Sequence, residues 1–532
     1  MYLPIAERKS SFKKGLDACE GRRNRNETTI NLRKNKREEG LAKRRAMVTP
    51  TVPAAFEAST TTTSDDRKTY TVADISELAA SLAKPNINDA KLLEVARAFR
   101  KILSVENNVP VKKVLDSGVL PALVQMISCG DKPDIQFEAA WALTNIASTD
   151  YTRVVADAGA IPIFVNLLSN PVAEIRDQSA WCLGNIAGDC PELRDMVLNA
   201  GAMQPLIQNV MTPSNPTLLN NCVWALSNFC RGKPAPAVDM VASAIPVLAS
   251  ILAGNNNDEA KSDALWALSY ISDGNDERIQ TVIDCDGVVA LLVEILGSDL
   301  SNAITPALRT IGNIVSGEDP KYTQTAIDAG LMRKMPLLLQ NAKKSIRKEA
   351  CWVLSNVAAG TQDQIQTIFK GGLVHVVQLA EEGEYEVRKE AIWTLGNVAT
   401  GGTATQVMSL VECGAIDALC SILNVNDSKI LMVALDAIEN ILKTAEACGK
   451  NYVSFVDECG GLEMIEALQE HQEDSIYSKC IDIIETYFGE DDDAMEENLV
   501  PATDGDMFTF GISQKGLEAS LDEAARPMQF NF

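Results

Sequence analysis

Six tryptophans, Trp141, Trp181, Trp224, Trp266, Trp352 and Trp393, stand 40, 43, 42, 86 and 41 residues apart, and five of them carry an asparagine four residues on: Asn145, Asn185, Asn228, Asn356 and Asn397. On a helix, four residues turn the chain by about 40°, so each Trp and its Asn share one face. Leu143 and Ile146 lie roughly 140–200° from Trp141 by the same arithmetic and face a core instead. An indole offers a flat apolar wall and a π face, against which a Lys or Arg stem gains contact and cation–π attraction of about 0.5–2 kcal/mol. An Asn amide can donate to a peptide C=O and accept from its N–H, holding an extended backbone without reading its side chains. The competing reading makes each Trp core filler and each Asn a brace for the neighbouring unit. The recurrence of both residues as a column favours the groove.

The elements that place this column must repeat with it. The Trp-bearing segments AAWALTNIAS, SAWCLGNIAG, CVWALSNFCR, ALWALSYISD, ALRTIGNIVS, ACWVLSNVAA and AIWTLGNVAT are one motif, with Arg309 at the midpoint of the 86-residue gap. Phe99 lies 42 residues before Trp141, and Asp436 lies 43 after Trp393 in ALDAIENILK. A helical motif with a period near 42 predicts an α-solenoid. About 20 residues before each Trp helix a glycine recurs (Gly159, Gly201, Gly330, Gly414), suited to a helix corner at positive φ. A short helix before that glycine makes three helices per unit, the armadillo pattern rather than the two-helix one. Adjacent third helices sit roughly 8–10 Å apart. An extended chain advances about 3.3–3.6 Å per residue, so one repeat matches about three peptide residues.

Composition agrees. The chain has 532 residues, 46% hydrophobic but 5% aromatic, with net charge −24. Residues 1–47 hold 14 Lys/Arg against 6 Asp/Glu, net +8, so the remainder is strongly acidic. An acidic body with a basic arm suggests a partner-binding protein with an internal competitor, not a nucleic-acid coat, and the Trp/Asn column predicts a receptor for extended basic peptides. Thirteen Cys without a Cys-x-x-Cys, most in apolar helical text such as Cys182, Cys222 and Cys351, read as buried thiols of a reducing compartment with no metal and no cofactor. His375 and His471 have no nucleophile or ligand set beside them, and nothing marks an enzyme. No apolar signal core or 18-residue apolar run occurs, so membrane insertion is not expected. The boundaries read as a basic arm over 1–47, a Thr/Pro/Ser-rich flexible linker over 48–74, about ten repeats over 75–489, and an acidic disordered tail over 490–532. Within that tail, FTFG reads as chance.

The array resembles importin alpha, the adaptor that recognises nuclear localisation signals, over almost the whole chain. The resemblance implies an all-α, right-handed armadillo solenoid with two cargo ladders. Trp141/Asn145, Trp181/Asn185 and Trp224/Asn228 match the major site, with Thr152, Gln178, Asp189 and Asn221 around them. Trp352/Asn356 and Trp393/Asn397 match the minor site, with Asn313, Glu349, Ser355 and Glu390. Between them Trp266 with Tyr270, Arg309 with Asn313, and the acids Asp263 and Asp273 match the groove linker. The segment before Thr152 is about two residues shorter than the family's. Arg8, Phe12, Lys13, Lys14, Arg22, Arg23, Arg25, Arg33, Lys34, Lys36 and Arg37 resemble the importin-beta-binding segment, interrupted at Asn24. Lys43, Arg44 and Arg45 resemble a localisation signal that could occupy the chain's own groove. The partners implied are basic cargo signals, importin beta, and, at the last repeat, an export receptor with the small GTPase Ran in its GTP form; the chain would shuttle between cytoplasm and nucleus. An armadillo scaffold for adhesion or signalling is the rival reading, and the Trp/Asn column with the basic arm argues against it.

Overall fold

The computed structural model describes residues 69–82, 87–105, 108–254, 257–489, 502–504 and 507–509. Among these, ten long helices follow the Trp period: α1 (Asp89–Leu103), α2 (Pro133–Ala147), α3 (Ala173–Asp189), α4 (Pro216–Phe229), α5 (Asp258–Ile271), α6 (Ser301–Val315), α7 (Lys344–Ala358), α8 (Tyr385–Gly401), α9 (Ser428–Ala447) and α10 (Asp474–Tyr487). Two shorter helices precede most of them, as Thr152–Asp157 and Ala160–Leu167 precede α3. The corner between those two is a glycine with positive φ in every unit where one was expected: Gly159 at 82°, Gly201 at 82°, Gly330 at 94° and Gly414 at 87°. Only a residue without Cβ takes that conformation cheaply.

The chain divides after Ala418 into two compact units. In the first, α1 to α8 pack side by side in sequence order, each against the next. Leu143, Ile146, Leu183, Ile186, Leu226 and Leu354 are fully buried between these helices and the shorter pairs. The core is therefore a continuous apolar seam built from one stripe per helix. Cys182, Cys222 and Cys351 are buried in it, and the described cysteines are all free thiols. Burial pushes the Cys230 thiol up to about 12.

In the second unit α9 packs against α10, and Lys479 of α10 binds both Asp436 (2.8 Å) and Glu439 (2.9 Å) of α9. Within the segment read as an acidic disordered tail, Ala502–Asp504 and Met507–Thr509 pair antiparallel, with Thr503 opposite Phe508. The arm and linker, including every basic residue from Arg8 to Arg45 singled out above, lie outside the described residues.

Candidate functional site

The column is built from the third helices of the first unit. Leu143 and Ile146 are fully buried, so the α2 register leaves Trp141 on the other side, half-buried. Trp224 and Trp393 are also half-buried, whereas Trp181, Trp266 and Trp352 keep only 5–7% of their surface exposed. What the indoles rest on explains the difference from ordinary core packing. A Cβ added at Gly184 would overlap the Trp224 ring, and one at Gly312 would overlap the Trp352 ring. Both glycines stand three residues after the column position of the preceding helix. The same place holds Thr144, Ser227, Ser269, Ser355 and Gly396. A small residue there lets the next indole lie flat across the helix, and the LTN, LGN and LSN triplets carried this signal unread.

The asparagines act between repeats. Asn145 Nδ2 donates to Ser104 Oγ (3.1 Å), Asn185 to Thr144 O (3.4 Å), Asn228 to Gly184 O (2.9 Å), Asn313 to Ser269 O (3.0 Å) and Asn397 to Ser355 O (2.7 Å). Each amide braces its helix to the one before, a role the sequence reading treated as the rival of peptide binding. The two are compatible, because the brace engages Nδ2 and leaves Oδ1. Asn397 Oδ1 is buried with no hydrogen-bond partner, as are Asn356 Nδ2, Gln178 Oε1 and Trp141 Nε1. Buried polar atoms are ordinarily satisfied; these four belong to positions of the expected groove, while Arg278 Nη2 and Gln280 Oε1 are in the same state outside it.

The remaining positions divide. Asp189, the last residue of α3, is exposed, at the end of the helix that carries Trp181 and Asn185. Glu390 and Asp263 are half-buried, each three residues before its Trp. Asn221 donates to Asp177 Oδ1 (2.8 Å), and Ser355 donates to Trp352 O (2.7 Å). Tyr270 stacks on Trp266 at 6.0 Å. Asp273 is 7% exposed and ion-paired to Lys233 at 2.9 Å. Thr152 opens the helix Thr152–Asp157 and is turned inward, its hydroxyl donating to Ala147 O (2.9 Å) and Thr149 O (2.7 Å). That hydroxyl therefore lies among backbone carbonyls at the end of α2 and in the turn after it.

Two acids are not open at all. Glu349 is 3% exposed, and both its oxygens accept from Arg309, from Nε at 2.9 Å and from a terminal nitrogen at 2.7 Å. Burial by itself would lower the Arg309 guanidinium; the Glu349 charge and hydrogen bonds reverse this and hold it above its ordinary value. Glu138, which the sequence reading passed over, likewise accepts from Arg100 (2.6 Å) and Arg97 (3.0 Å). Arg100 also lies 4.8 Å from the Trp141 ring centre, on its face. Glu138 stands three residues before Trp141 as Glu349 does before Trp352, so the signal was present in the register.

Comparison with known proteins places these features. The importin beta binding domain family matches residues 8–140, armadillo/beta-catenin-like repeats match 148–188, 190–231, 319–359 and 404–443, and an atypical armadillo repeat matches 450–502. The chain is 43% identical to importin subunit alpha-1a of Oryza sativa subsp. japonica over 95% of its own length and 97% of the relative's. It is 41% identical to importin subunit alpha-3 of Arabidopsis thaliana over 99% and 98%, and 42% identical to importin subunit alpha-B of Dictyostelium discoideum over 94% and 96%. Among solved structures, an engineered protein aligns with a TM-score of 0.71 at 27% identity, over 78% of this chain and 99% of its own. The all-helical, three-helix units are armadillo repeats.

Proposed function

The chain belongs to the importin subunit alpha family, and from that premise we propose that it is a nuclear import adaptor whose Trp/Asn column binds the basic localisation signals of cargo. The observation that supports this most directly is the column itself, with indoles at one-repeat intervals and polar atoms beside them that have no partner within the protein. A peptide lying along α2 to α4 places lysine or arginine stems between Trp141, Trp181 and Trp224. Its backbone meets Asn145, Asn185 and Asn228, and Asp189 attracts a cation at the end of α3. A second, shorter window uses Trp352 and Trp393 with Asn356, Asn397 and Glu390. A two-cluster signal gains from both, because docking one cluster makes the other contact nearly intramolecular.

The basic arm is the handle for importin beta, an assignment supported by the family match that begins at residue 8. Lys43, Arg44 and Arg45 are also a tethered ligand for the groove. At an effective concentration of order millimolar, they lower the affinity for cargo about 10–100-fold when the open form is about 1–10% populated. Capture of the arm by importin beta then opens the groove, and its release expels cargo. Return from the nucleus, by an export receptor with Ran in its GTP form on the last repeat, rests on the family alone. One titration tests the groove and the arm together. A labelled one-cluster basic peptide is added to the full chain, to Lys43→Ala with Arg44→Ala, and to protein lacking residues 1–47, at one ionic strength. Tighter binding to both altered proteins is expected. Equal dissociation constants would remove the autoinhibition, and no binding to any of the three would remove the groove.

A further inference from the structure

Between α4 and α5 the repeat is altered. The unit that ends in α5 opens with a helix of four residues, Val238–Val241, where its neighbours open with Pro191–Asn199 and Asp276–Ile283. The loop RGKPAPA, residues 231–237, leads into it. Two buried arginines hold this loop, one from the unit before and one from the unit after. Arg194, 1% exposed, donates from one terminal nitrogen to Arg231 O (2.7 Å) and Pro234 O (2.9 Å). Arg278, 7% exposed, donates to Pro236 O (2.8 Å) and, from Nε, to Ile271 O (2.8 Å) at the end of α5. Glycines make room for both side chains: a Cβ at Gly232 would press on Arg194 and one at Gly274 on Arg278. The loop also reaches outward. Arg231 donates to Gly188 O of α3, and Lys233 pairs with Asp273 just beyond α5.

We propose that Arg194 and Arg278 are positioning residues that make loop 231–237 a rigid joint, and that this joint fixes the distance from the first peptide window to the second. The inference rests on the two-window reading above and adds what sets the spacer length of a two-cluster signal. Arg278 stands three residues after its N-cap, Asn275, as Gln364 stands after Thr361 and Gln406 after Thr403. All three reach back to a carbonyl of the preceding unit, Gln364 to Pro320 O (2.9 Å) and Gln406 to Gln362 O (2.9 Å). A guanidinium in this role is costly to desolvate, because its hydrogen bonds go to carbonyls and not to a carboxylate. One terminal nitrogen of Arg278 has no partner at all. What the guanidinium adds is direction. Its planar fork points several donors at fixed angles, so the loop and the end of α5 are held in one orientation to the helix that bears Arg278. In a solenoid each unit touches only its neighbours, and an error of angle at one joint is carried through every later unit. This joint lies between α4, the last helix of the first window, and α7, the first of the second. Three helix spacings make roughly 24–30 Å, so a bend of about 7° moves α7 by about 3 Å, the length of one extended peptide residue.

The test uses a molecular ruler. Two basic clusters are joined by a stiff, proline-rich spacer of about 3.1 Å per residue, lengthened one residue at a time. Each peptide is titrated into the full chain and into Arg278→Met, Arg194→Met and Gln406→Ala. In the wild type, affinity should peak at one length and fall about tenfold within two residues of it, because a stiff spacer that misses the second window loses its avidity. In the two arginine variants the peak should move by at least one residue, or flatten until the same step costs less than about threefold. A one-cluster peptide should bind them as it binds the wild type. Gln406→Ala breaks a brace outside the interval from α4 to α7, so it should keep the wild-type profile whatever it does to the melt. That control separates position from stability. An unchanged peak in the folded arginine variants overturns the proposal, and so does a shifted peak in Gln406→Ala or a flat profile in the wild type. Should Arg278→Met not fold, judged by loss of a cooperative melt, Arg278→Lys keeps the charge and one donor and takes its place. Two-cluster peptides that bind the wild type no more tightly than one cluster, at any length, would remove the second window and the joint with it.

Discussion

Two steps of the same array can be laid side by side. From α3 to α4, the column reads Trp181, Gly184 and Asn185, then Asn221, Trp224 and Asn228. From α6 to α7, it reads Arg309, Gly312 and Asn313, then Glu349, Trp352 and Asn356. In both, a glycine lies under the following indole. They differ in polar traffic. At the first step Asn228 donates to Gly184 O, and the nearby acid, Asp189, stays exposed. At the second, Arg309 and Glu349 form a closed pair, and Asn356 Nδ2 has no partner. The lesson is that a repeat fixes backbone spacing, while the residue at the column position decides whether the space between helices is a slot or a seal.

The sharpest way to break this contrast is Glu349→Ala, which leaves Arg309 buried without its counter-charge. It should lower stability by about 3–5 kcal/mol, whereas Asn221→Ala at the matching position should cost only about 0.5–1.5 kcal/mol. Denaturant unfolding of the two variants measures the gap, and equal midpoints would show that the seal adds nothing. Next in size is Asp189→Lys. The residue is exposed, so the fold should survive, but a one-cluster peptide should lose about 2–5 kcal/mol of binding where the ligand desolvates the charge. Wild-type affinity in this variant would mean that the first window lies elsewhere.

Gly184→Ala and Gly312→Ala probe what the two steps share. Each adds a methyl where an indole lies, so each should destabilise by about 1–3 kcal/mol. Only Gly184→Ala should weaken a one-cluster peptide, because only Trp224 belongs to its window. Matched losses of peptide binding would contradict the division into two windows. The smallest effect is expected from Trp393→Ala with Asn397→Ala. A two-cluster peptide should bind about tenfold more weakly through lost avidity, and a one-cluster peptide should be unchanged. Isothermal titration of both peptides reads this directly, and parallel weakening would join the windows into one.

The architecture was open to reading because its determinants are periodic. A 42-residue recurrence of Trp, the helix-corner glycines and the Leu/Ile stripe each repeat many times, so even a single chain averages out local accidents. The positive φ at Gly159, Gly201, Gly330 and Gly414 followed from that reading. Gly184 and Gly312 were harder to see, since their reason is an indole some 40 residues away in the chain.

By itself, then, the sequence determined the repeat, the helix faces and the column of Trp and Asn, since these depend on intervals along one chain and on the turn of one helix. Tertiary structure alone decided what each side chain meets across the gap between helices. It turned the Asn amides to the preceding repeat. It also gave Glu138 and Glu349 to arginines within the protein while leaving Asp189 exposed. The physical reason is range. Helix periodicity is set by neighbours three and four residues away, but a hydrogen bond or ion pair is settled within about 3 Å, by groups that the stacking of repeats brings together from 40 residues apart.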